Sequence, residues 1–562
     1  MSAIPRTTPQ QINTLKEYFQ FLENAGFSGQ VQIAEKGQMI KRQDFGMANR
    51  ETKQPVTSTT AFNIASLTKQ FTATAILLLE QEGKLNCGDT LGKFWDTLSE
   101  EKKAISIHQL LTHKSGFKRQ LFPTGGTISK TELISKIFTE PLQSKPGISF
   151  QYSNSGYEVL AAIIEHVSGI SYTEFIRHKF ILPYGLSHTY FNTDDLKDIN
   201  HEIAIGYNEW KEINYPILDS QNWNNTGASN ILSTDNDMMK WFSLILNNKV
   251  LSASQTQKLF SAAENEEYGY GWYVTKTDDN ERLIYHGGDL AGFHSELLYY
   301  PERDRVIYII TNADLFGYGI SKYRIEENVP KILRGESIDF PLNSVKYKPE
   351  ILYKYCGTYQ FDSSNYYKVW INGEQLTMGA SGQTAINLSL SKKSRHKLNL
   401  DSVCQISFNL LNFVLDSTKE NGKDILSGEN FNFYFPFLKE KIISYSKAMD
   451  GMPVISVAGT IPAYWRGSGM CRTYLNLKFQ AGSTPVYLGW GPKGLYDITF
   501  NDDRPFPLIY PLVCLSESNV LIYDIDHSNV TPIQFTLDQK KVIKSLSIKD
   551  DDGRILLFKK IK

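Results

Sequence analysis

A serine and a lysine one helical turn apart form the first pair of residues in this sequence that could take part in catalysis. They lie in the segment from Phe62 to Gly83, whose apolar positions predict a buried helix that begins near Ser66 and ends at Gly83. In such a helix the amine of Lys69 lies beside the hydroxyl of Ser66. A serine hydroxyl becomes a good nucleophile when a partner accepts its proton, and a lysine can do so only as a neutral amine. The pair therefore predicts a nucleophilic serine with a lysine base.

The spacing alone is a weak signal, because chance produces it elsewhere in the chain. The same Ser-x-x-Lys pattern occurs at 99–102, 115–118 and 389–392. The pair at Ser66 and Lys69 has a further property: it opens a predicted helix, whose first N–H groups and positive dipole end favour a developing negative charge.

Two later segments carry complementary groups. Tyr152 and Asn154 lie one residue apart directly before a predicted helix, and His286 ends a predicted strand. Gly287 and Gly288 follow that histidine and allow a ligand to lie close to the backbone. An acyl carbonyl must meet a hydroxyl, a proton acceptor and hydrogen-bond donors at once, and the three segments together carry such groups. The order of the three segments along the chain distinguishes the Ser66 and Lys69 pair from the other Ser-x-x-Lys matches, which arise by chance.

The elements that must position these segments are helices and antiparallel strands, up to about residue 335. Helices are predicted at 9–24, at 156–168 and after Ser233 or Thr234, either of which can cap the next helix. A hairpin is predicted at 28–49, and strands at 268–276, 282–285, 295–300 and 306–311. Helices between terminal groups of antiparallel strands favour an α+β arrangement for a catalytic domain at 1–335.

The remainder of the chain has a different pattern. Residues 336–349 predict a linker, and the short apolar runs beyond it, separated by turn residues, predict all-β structure. Two β domains are expected, at 350–445 and 446–562, because a Gly-Thr pair opens each of them. The aromatic stretch at 431–437 is interpreted as part of a β core.

Composition limits the function classes. Hydrophobic residues make up 41% and charged residues 21%, as in an ordered globular protein. Lys and Arg total 59 against 60 Asp and Glu, which gives a formal charge of −1 and argues against nucleic acid as a partner. The 5 cysteines have no C-x-x-C spacing, and no acidic cluster surrounds the histidines. Neither a disulfide framework nor a metal or other cofactor is predicted.

The N-terminal segment has no apolar core of the kind found in signal peptides. The longest apolar stretch, at 75–79, is far shorter than the roughly 20 residues that span a bilayer. The sequence as written therefore predicts a cytoplasmic protein without a membrane span, and a periplasmic or extracellular one if a signal peptide was removed.

In its three motifs the sequence resembles the serine β-lactamase and penicillin-binding-protein superfamily, specifically the class C-like branch of esterases, D-aminopeptidases and DD-peptidases. That branch has Ser-x-x-Lys, then Tyr-x-Asn, then a Lys-or-His-x-Gly triplet, in the order found here. The resemblance spans roughly 16–335. Connecting text that also agrees includes Leu110–Gly116, Pro146–Gly147, Gly156–Tyr157, Leu182–His188 and Gly269–Trp272.

The resemblance implies an active site between an all-helical part and an antiparallel sheet flanked by helices. Ser66 would be the acylated nucleophile, and Lys69 and Tyr152 would share the general-base and general-acid work. Asn154 would orient either Lys69 or the amide of the substrate. Some members carry β-barrel domains after the catalytic part, so the resemblance also implies lipocalin-like barrels at the C-terminal end.

The third motif is expected to contact the substrate and to complete an oxyanion hole. The resemblance implies that the backbone N–H groups of Ser66 and Asp289 form this hole, with His286, Gly287 and Gly288 lining the substrate. Penicillin-recognising enzymes usually have a lysine at the position of His286, where its charge helps to bind a carboxylate. A mostly neutral imidazole is a weaker anchor for an anion, which argues against efficient penicillin hydrolysis.

These observations predict a serine hydrolase or acyl transferase that acts on an amide or ester, with peptides that contain D-residues as the first substrate class. The alternatives are an esterase, a thioesterase-cyclase, a weak β-lactamase and a non-catalytic scaffold protein. The expected partner is a small-molecule or peptide substrate, and a homo-oligomer through the β domains stays open. His108 and His113 are interpreted as structural.

Overall fold

The computed structural model of the chain describes residues 7–561 with internal gaps. The gaps are 122–126, 195, 197–201, 209–210, 214–221, 264–265, 278–279, 315–321, 339, 341–344, 346, 373–374, 391–399, 417–428, 464–469, 492–493, 501–507, 515, 517, 525–528 and 551. The chain divides into two compact units. The first is Met1–Phe19, Phe27–Leu315 and Ser321–Glu336, and the second is Gln20–Gly26, Phe316–Ile320 and Ser337–Lys562.

Short strands and one large sheet make up the β structure of the first unit. The strands are β1 (Gly29–Glu35), β2 (Gln38–Phe45), β3 (Met47–Asn49), β4 (Gln54–Pro55), β5 (Phe62–Asn63), β6 (Tyr190–Phe191), β7 (Tyr207–Asn208), β8 (Lys211–Glu212), β9 (Ile231–Ser233), β10 (Tyr273–Lys276), β11 (Arg282–Leu290), β12 (Phe293–Tyr300), β13 (Arg305–Thr311) and β14 (Ala313–Asp314). The large sheet has 6 antiparallel strands in the order β10-β11-β12-β13-β1-β2. Strand β1 of the first hairpin pairs with β13, two strands away from β11, which carries His286. This antiparallel sheet and the accompanying helices confirm the predicted α+β arrangement.

Helices make up much of the remaining regular structure up to residue 336. They are α1 (Pro9–Asn24), α2 (Thr68–Gln81), α3 (Glu100–Lys103), α4 (Ile107–Leu111), α5 (Lys130–Thr139), α6 (Asn154–Ser168), α7 (Tyr172–Ile176), α8 (Leu182–Tyr184), α9 (Thr226–Ser229), α10 (Asp235–Leu246), α11 (Ala253–Leu259) and α12 (Lys322–Arg334). Buried side chains of α2, α6 and α10 belong to one hydrophobic cluster with those of β11, β12 and β13.

Local signals fix the ends of the elements that carry the motifs. Ser153 caps α6 by accepting a hydrogen bond from the N–H of Gly156, and Gly169 ends that helix at a φ of 76°. Thr234 caps α10 in the same way. Lys36 and Gly37 both have positive φ, as a two-residue hairpin turn requires. The helices and strands predicted for these segments are therefore confirmed.

The second unit contains a closed barrel of 8 strands, in the order β15-β16-β17-β22-β23-β24-β25-β26, and a separate sheet of 4 strands, β18-β19-β20-β21. The strands are β15 (Gly357–Gln360), β16 (Tyr366–Asn372), β17 (Gln375–Ser381), β18 (Val454–Ala463), β19 (Met470–Lys478), β20 (Ser483–Gly491), β21 (Gly494–Phe500), β22 (Leu508–Cys514), β23 (Asn519–Asp524), β24 (Asn529–Leu537), β25 (Ile543–Lys549) and β26 (Ile555–Lys560). The helices are α13 (Pro349–Leu352), α14 (Gln383–Ser389), α15 (Leu400–Leu415) and α16 (Glu429–Ala448).

This topology corrects the predicted division into two β domains. Strands from 357–381 and from 508–560 close the same barrel, and the residues between them form an insertion of helices and the four-stranded sheet. A boundary at 445–446 therefore separates parts of one unit. The reason is that β17 pairs with β22 across more than a hundred residues of sequence, and short-range patterns carry no information on such a pairing.

Helices in the insertion are the second correction. The aromatic stretch 431–437, interpreted as a β core, belongs to α16, and the expectation of all-β structure holds only for the barrel and the smaller sheet. Much of the predicted linker at 336–349 lies outside the described residues.

Within the described residues no single helix is long and apolar enough to cross a bilayer, although Asn154–Ser168 and Tyr172–Tyr184, bent by 76°, pass together by length and composition.

Candidate active site

A strained turn, and not the helix itself, carries Ser66. After β5 the backbone enters a 3₁₀ turn at Ala65–Leu67, and α2 begins only at Thr68. Ala65 has a φ of 48°, a left-handed conformation that costs about 1–2 kcal/mol for a residue with a Cβ. The side-chain oxygen of Asn63 accepts a hydrogen bond of 2.8 Å from the N–H of Ala65, which holds this conformation. The serine is half-buried and lies one turn before Lys69, as predicted.

Lys69 is buried and has three oxygen partners. Its Nζ lies 3.1 Å from Ser66 Oγ, 2.8 Å from Asn154 Oδ1 and 3.0 Å from the carbonyl oxygen of Ala228. Burial lowers the pKa of Lys69 well below its usual value, the carboxyl of Glu158 opposes this shift, and the charge of Arg119 adds to it. The structure therefore favours the neutral amine.

The partners of the neutral amine fix the direction of its lone pair. A neutral lysine has two N–H groups, and the oxygens of Asn154 and Ala228 can only accept hydrogen bonds. When both N–H groups are directed to these acceptors, the remaining lone pair faces Ser66 Oγ. The site thus presents a proton acceptor to the serine hydroxyl.

Helices α6 and α9 hold these two acceptors around Lys69. The Asn154 N–H donates to the carbonyl oxygen of Arg119 at 2.8 Å, which ties the start of α6 to the preceding loop. A side chain at Gly227 would overlap the backbone of Tyr157, so only glycine lets α9 approach α6 this closely. The close approach places the carbonyl of Ala228 against Lys69.

Tyr152 lies over the same lysine. Its ring centroid is 4.9 Å from Lys69 Nζ. Burial raises the pKa of Tyr152, and a hydrogen bond with the Ser66 side chain opposes this shift in part. The phenol is therefore protonated near neutral pH and can donate to the serine oxygen.

His113 positions the Tyr152 segment. Its ring centroid lies 4.2 Å from that of Tyr152. Its Nδ1 accepts a hydrogen bond of 3.0 Å from the N–H of Ser153, and its carbonyl oxygen accepts one of 2.8 Å from the N–H of Gln151. Both neighbours of the tyrosine are thus fixed by a single residue, which itself has a left-handed φ of 57°. The sequence alone indicates a structural role for His113 but does not reveal that its ring contacts that of Tyr152.

Glu158 is a second residue that motif spacing does not reveal. It lies one turn after Asn154 on α6, is 3% exposed, and accepts a hydrogen bond of 2.8 Å from the N–H of Asn225. Burial raises the pKa of its carboxyl to about 7, and the nearby Lys69 lowers it in part. The charge of this carboxyl beside Lys69 therefore changes near neutral pH.

His286 lies on β11 with both ring nitrogens engaged. Its Nδ1–H donates to the carbonyl oxygen of Gly287 at 2.7 Å, and its Nε2 then accepts from the hydroxyl of Tyr268 at 2.9 Å. Burial lowers the pKa of His286 to about 3, and the nearby Lys69 adds to the shift. The imidazole is therefore neutral.

The glycines after His286 bring β11 against the serine turn. A side chain at Gly288 would overlap the carbonyl oxygen of Ile64, and the Ser295 hydroxyl on β12 donates to that same oxygen at 2.8 Å. The Asp289 side chain is half-exposed and lies 2.9 Å from Lys322 and 2.8 Å from His294. The N–H groups of Ser66 and Asp289, predicted to form the oxyanion hole, thus belong to backbone segments that contact each other.

Lys322, on α12, lies on the opposite face of β11 and has no sequence motif. It is 2% exposed and donates to the carbonyl oxygens of Gly288 at 3.2 Å and Ser295 at 2.9 Å. Its Nζ is also 3.3 Å from Glu296, whose pKa burial raises to about 7. Its role depends on α12 packing against the sheet, which the sequence does not signal.

Comparisons with known proteins indicate the family of the chain. The family model described as Beta-lactamase matches residues 19–325. Penicillin-binding protein 4* of Bacillus subtilis (strain 168) is 26% identical over 421 residues, which is 69% of this chain and 91% of that protein. The crystal structure of FmtA from Staphylococcus aureus aligns with a TM-score of 0.50 at 25% identity, over 62% of this chain and 95% of that one. The octameric penicillin-binding protein homologue from Pyrococcus abyssi aligns with a TM-score of 0.52 at 19% identity, over 87% and 98% of the two chains, and this likeness shows the fold alone.

Proposed function

Because the chain belongs to the beta-lactamase family, we propose that it is a serine hydrolase or acyl transferase that forms an acyl-enzyme on Ser66. Relatives in this family support acyl transfer on amides. The observation that carries the proposal is the arrangement around Lys69, whose two N–H groups have fixed acceptors while its lone pair faces the serine.

Acylation begins when Ser66 Oγ attacks the carbonyl carbon and Lys69 Nζ takes its proton. The carbonyl oxygen becomes an oxyanion, which the N–H groups of Ser66 and Asp289 stabilise. The C–N or C–O bond then breaks, and Tyr152 gives its phenolic proton to the leaving group. The proton held by Lys69 restores the phenol, so both groups regain their starting states. Water or an amine then attacks the acyl-enzyme, with the same groups acting in reverse.

The substrate class is proposed to be peptides that contain D-residues, hydrolysed at an amide bond. The relative from Bacillus subtilis is named as a penicillin-binding protein, and penicillin is a cyclic amide. His286 is buried and neutral, so it does not supply the positive charge with which a lysine at this position would bind a substrate carboxylate. This supports an amide substrate whose binding does not depend on such a charge at residue 286.

Covalent labelling tests the acyl-enzyme. A fluorophosphonate and a labelled penicillin are added to the folded protein, to Ser66→Ala and to Lys69→Ala, and the adduct is located by peptide mass spectrometry. We expect modification of Ser66 in the native chain, none in Ser66→Ala and strongly slowed labelling in Lys69→Ala. Absence of label on the folded native chain contradicts the enzyme proposal and leaves the scaffold alternative.

A substrate panel tests the finer assignment. p-Nitroanilides of D- and L-amino acids, p-nitrophenyl esters, a thioester and nitrocefin are compared by kcat/KM. We expect the D-amino acid anilides to exceed their L-counterparts. A preference for esters or thioesters, or for nitrocefin, would replace the peptidase assignment by the corresponding alternative.

A further inference from the structure

We propose that Arg119 binds a carboxylate of the substrate at the mouth of the active site. This inference rests on the proposed function, since it names the class of substrate that Ser66 would attack. It follows from the position of Arg119 beside Tyr152 and from the absence of any other available cation in the described part of the site.

The position of Arg119 is fixed by the catalytic helix. Its carbonyl oxygen accepts the hydrogen bond of 2.8 Å from the N–H of Asn154, so residue 119 lies directly at the start of α6. Its guanidinium carbon is 5.6 Å from the ring centroid of Tyr152. The next residue, Gln120, accepts a hydrogen bond of 3.3 Å from the Asn154 side chain. The arginine therefore adjoins both residues of the Tyr-x-Asn motif.

The guanidinium is exposed and has no ion pair with a carboxylate in the described part of the chain. This distinguishes it from the lysines on the same loop. Lys118 lies 2.7 Å from Glu140, and Lys114 forms an ion pair with Glu266. A guanidinium over an aromatic face keeps its N–H edges directed outward, in a geometry that suits the two oxygens of a carboxylate.

The other cationic groups near Ser66 are not available to an anion. Lys69 is buried and must be neutral to accept a proton. Both nitrogens of His286 are hydrogen-bonded inside the protein. Lys322 lies in ion pairs with Asp289 and Glu296. Arg119 is thus the described cation beside the site that can reach a negatively charged substrate, and it lies on the Tyr152 side instead of at the position of His286.

Two pairs of charged and neutral esters test this assignment. p-Nitrophenyl hemiglutarate carries a carboxylate on the acyl side, and p-nitrophenyl butyrate is its neutral counterpart. The matched pair 4-carboxyphenyl butyrate and phenyl butyrate places the carboxylate on the leaving group. Each is measured with the native chain, Arg119→Gln, Arg119→Lys and the control Lys118→Gln, which removes an equal charge from the preceding residue. All rates are taken at a pH where kcat/KM of each variant has reached its plateau.

We expect Arg119→Gln to lower kcat/KM for one of the anionic substrates by about tenfold, mainly through KM, and to change the neutral counterpart less than about twofold. Arg119→Lys should keep part of this preference, and Lys118→Gln should leave it unchanged. The substrate pair that responds shows whether the carboxylate lies on the acyl or the leaving-group side. Equal losses for charged and neutral substrates, or no loss for either, would overturn the assignment. If the native chain hydrolyses none of the four esters and fluorophosphonate does not label Ser66, the proposed function itself fails.

Discussion

The ammonium of Lys322 donates a hydrogen bond of 3.2 Å to the carbonyl oxygen of Gly288. This carbonyl and the N–H of Asp289 belong to the same peptide group, so the plane of that group sets the direction of the predicted oxyanion donor. A buried lysine on α12 therefore supports the donor from the far face of the sheet.

Replacing this lysine should lower the stability of the protein. We expect Lys322→Met to lower the free energy of unfolding by about 3 kcal/mol or more, because Glu296 and Asp289 lose a buried cation. Denaturant unfolding measures this loss. The double variant Lys322→Met, Glu296→Gln should be more stable than the single variant, since it removes one carboxylate as well. A double variant no more stable than Lys322→Met would contradict the pairing.

The close approach of Gly288 to the serine turn gives a second prediction. A methyl group at this position would overlap the carbonyl oxygen of Ile64 and force β11 away from Ser66. We expect Gly288→Ala to slow fluorophosphonate labelling by about 100-fold or more, the cost of losing one oxyanion donor.

Gly287→Ala is the matched control, because its methyl group would meet the side-chain ends of Glu296 and Lys322, at 2.7 and 3.2 Å, and not the serine turn. It should label faster than Gly288→Ala at equal folded fraction, which circular dichroism checks. Equal labelling rates for the two variants would show that the contact with Ile64 does not matter.

The charges around Lys69 predict opposite shifts in the pH profile. The proposed mechanism requires the neutral amine, so kcat/KM is expected to fall as the pH drops through the pKa of Lys69. Glu158 raises this pKa and Arg119 lowers it. We therefore expect Glu158→Gln to move the acidic limb to lower pH and Arg119→Gln to move it to higher pH, measured with an uncharged ester. Glu165→Gln, elsewhere on α6 and ion-paired with Lys130, serves as the control. Shifts in the same direction for both variants would contradict Lys69 as the titrating base.

His113 gives the fourth prediction. His113→Leu removes the acceptor for the buried N–H of Ser153 and places a bulky apolar side chain on a left-handed backbone. We expect kcat to fall about tenfold or more and the melting temperature to drop, because Tyr152 loses its support.

His113→Asn keeps a side-chain acceptor and tolerates the left-handed conformation. It should retain more of kcat than the leucine variant at matched folded fraction. If the two variants have the same kcat, the hydrogen bond to Ser153 does not position the tyrosine.

Local signals in the sequence predict the elements that carry the motifs, whereas pairings between distant segments are not predicted. The helix and strands that carry Ser66, Tyr152 and His286 follow from apolar spacing, caps and turn residues, which act over a few positions of sequence. The division of the second unit at 445–446 was wrong, because the barrel closes through β17 and β22, whose pairing spans a long insertion. The aromatic stretch at 431–437 lies in α16, so the general preference of such residues for strands does not decide its structure.

The amino-acid sequence alone predicts which groups could react. The one-turn spacing of Ser66 and Lys69 follows from helical periodicity, and the order of the motifs indicates the family. The protonation of these groups depends on the folded surroundings. Burial and the charge of Arg119 lower the pKa of Lys69, and burial and the nearby Lys69 lower that of His286 to about 3. Desolvation and hydrogen bonding act through space, so they set a pKa only when distant segments of the chain meet.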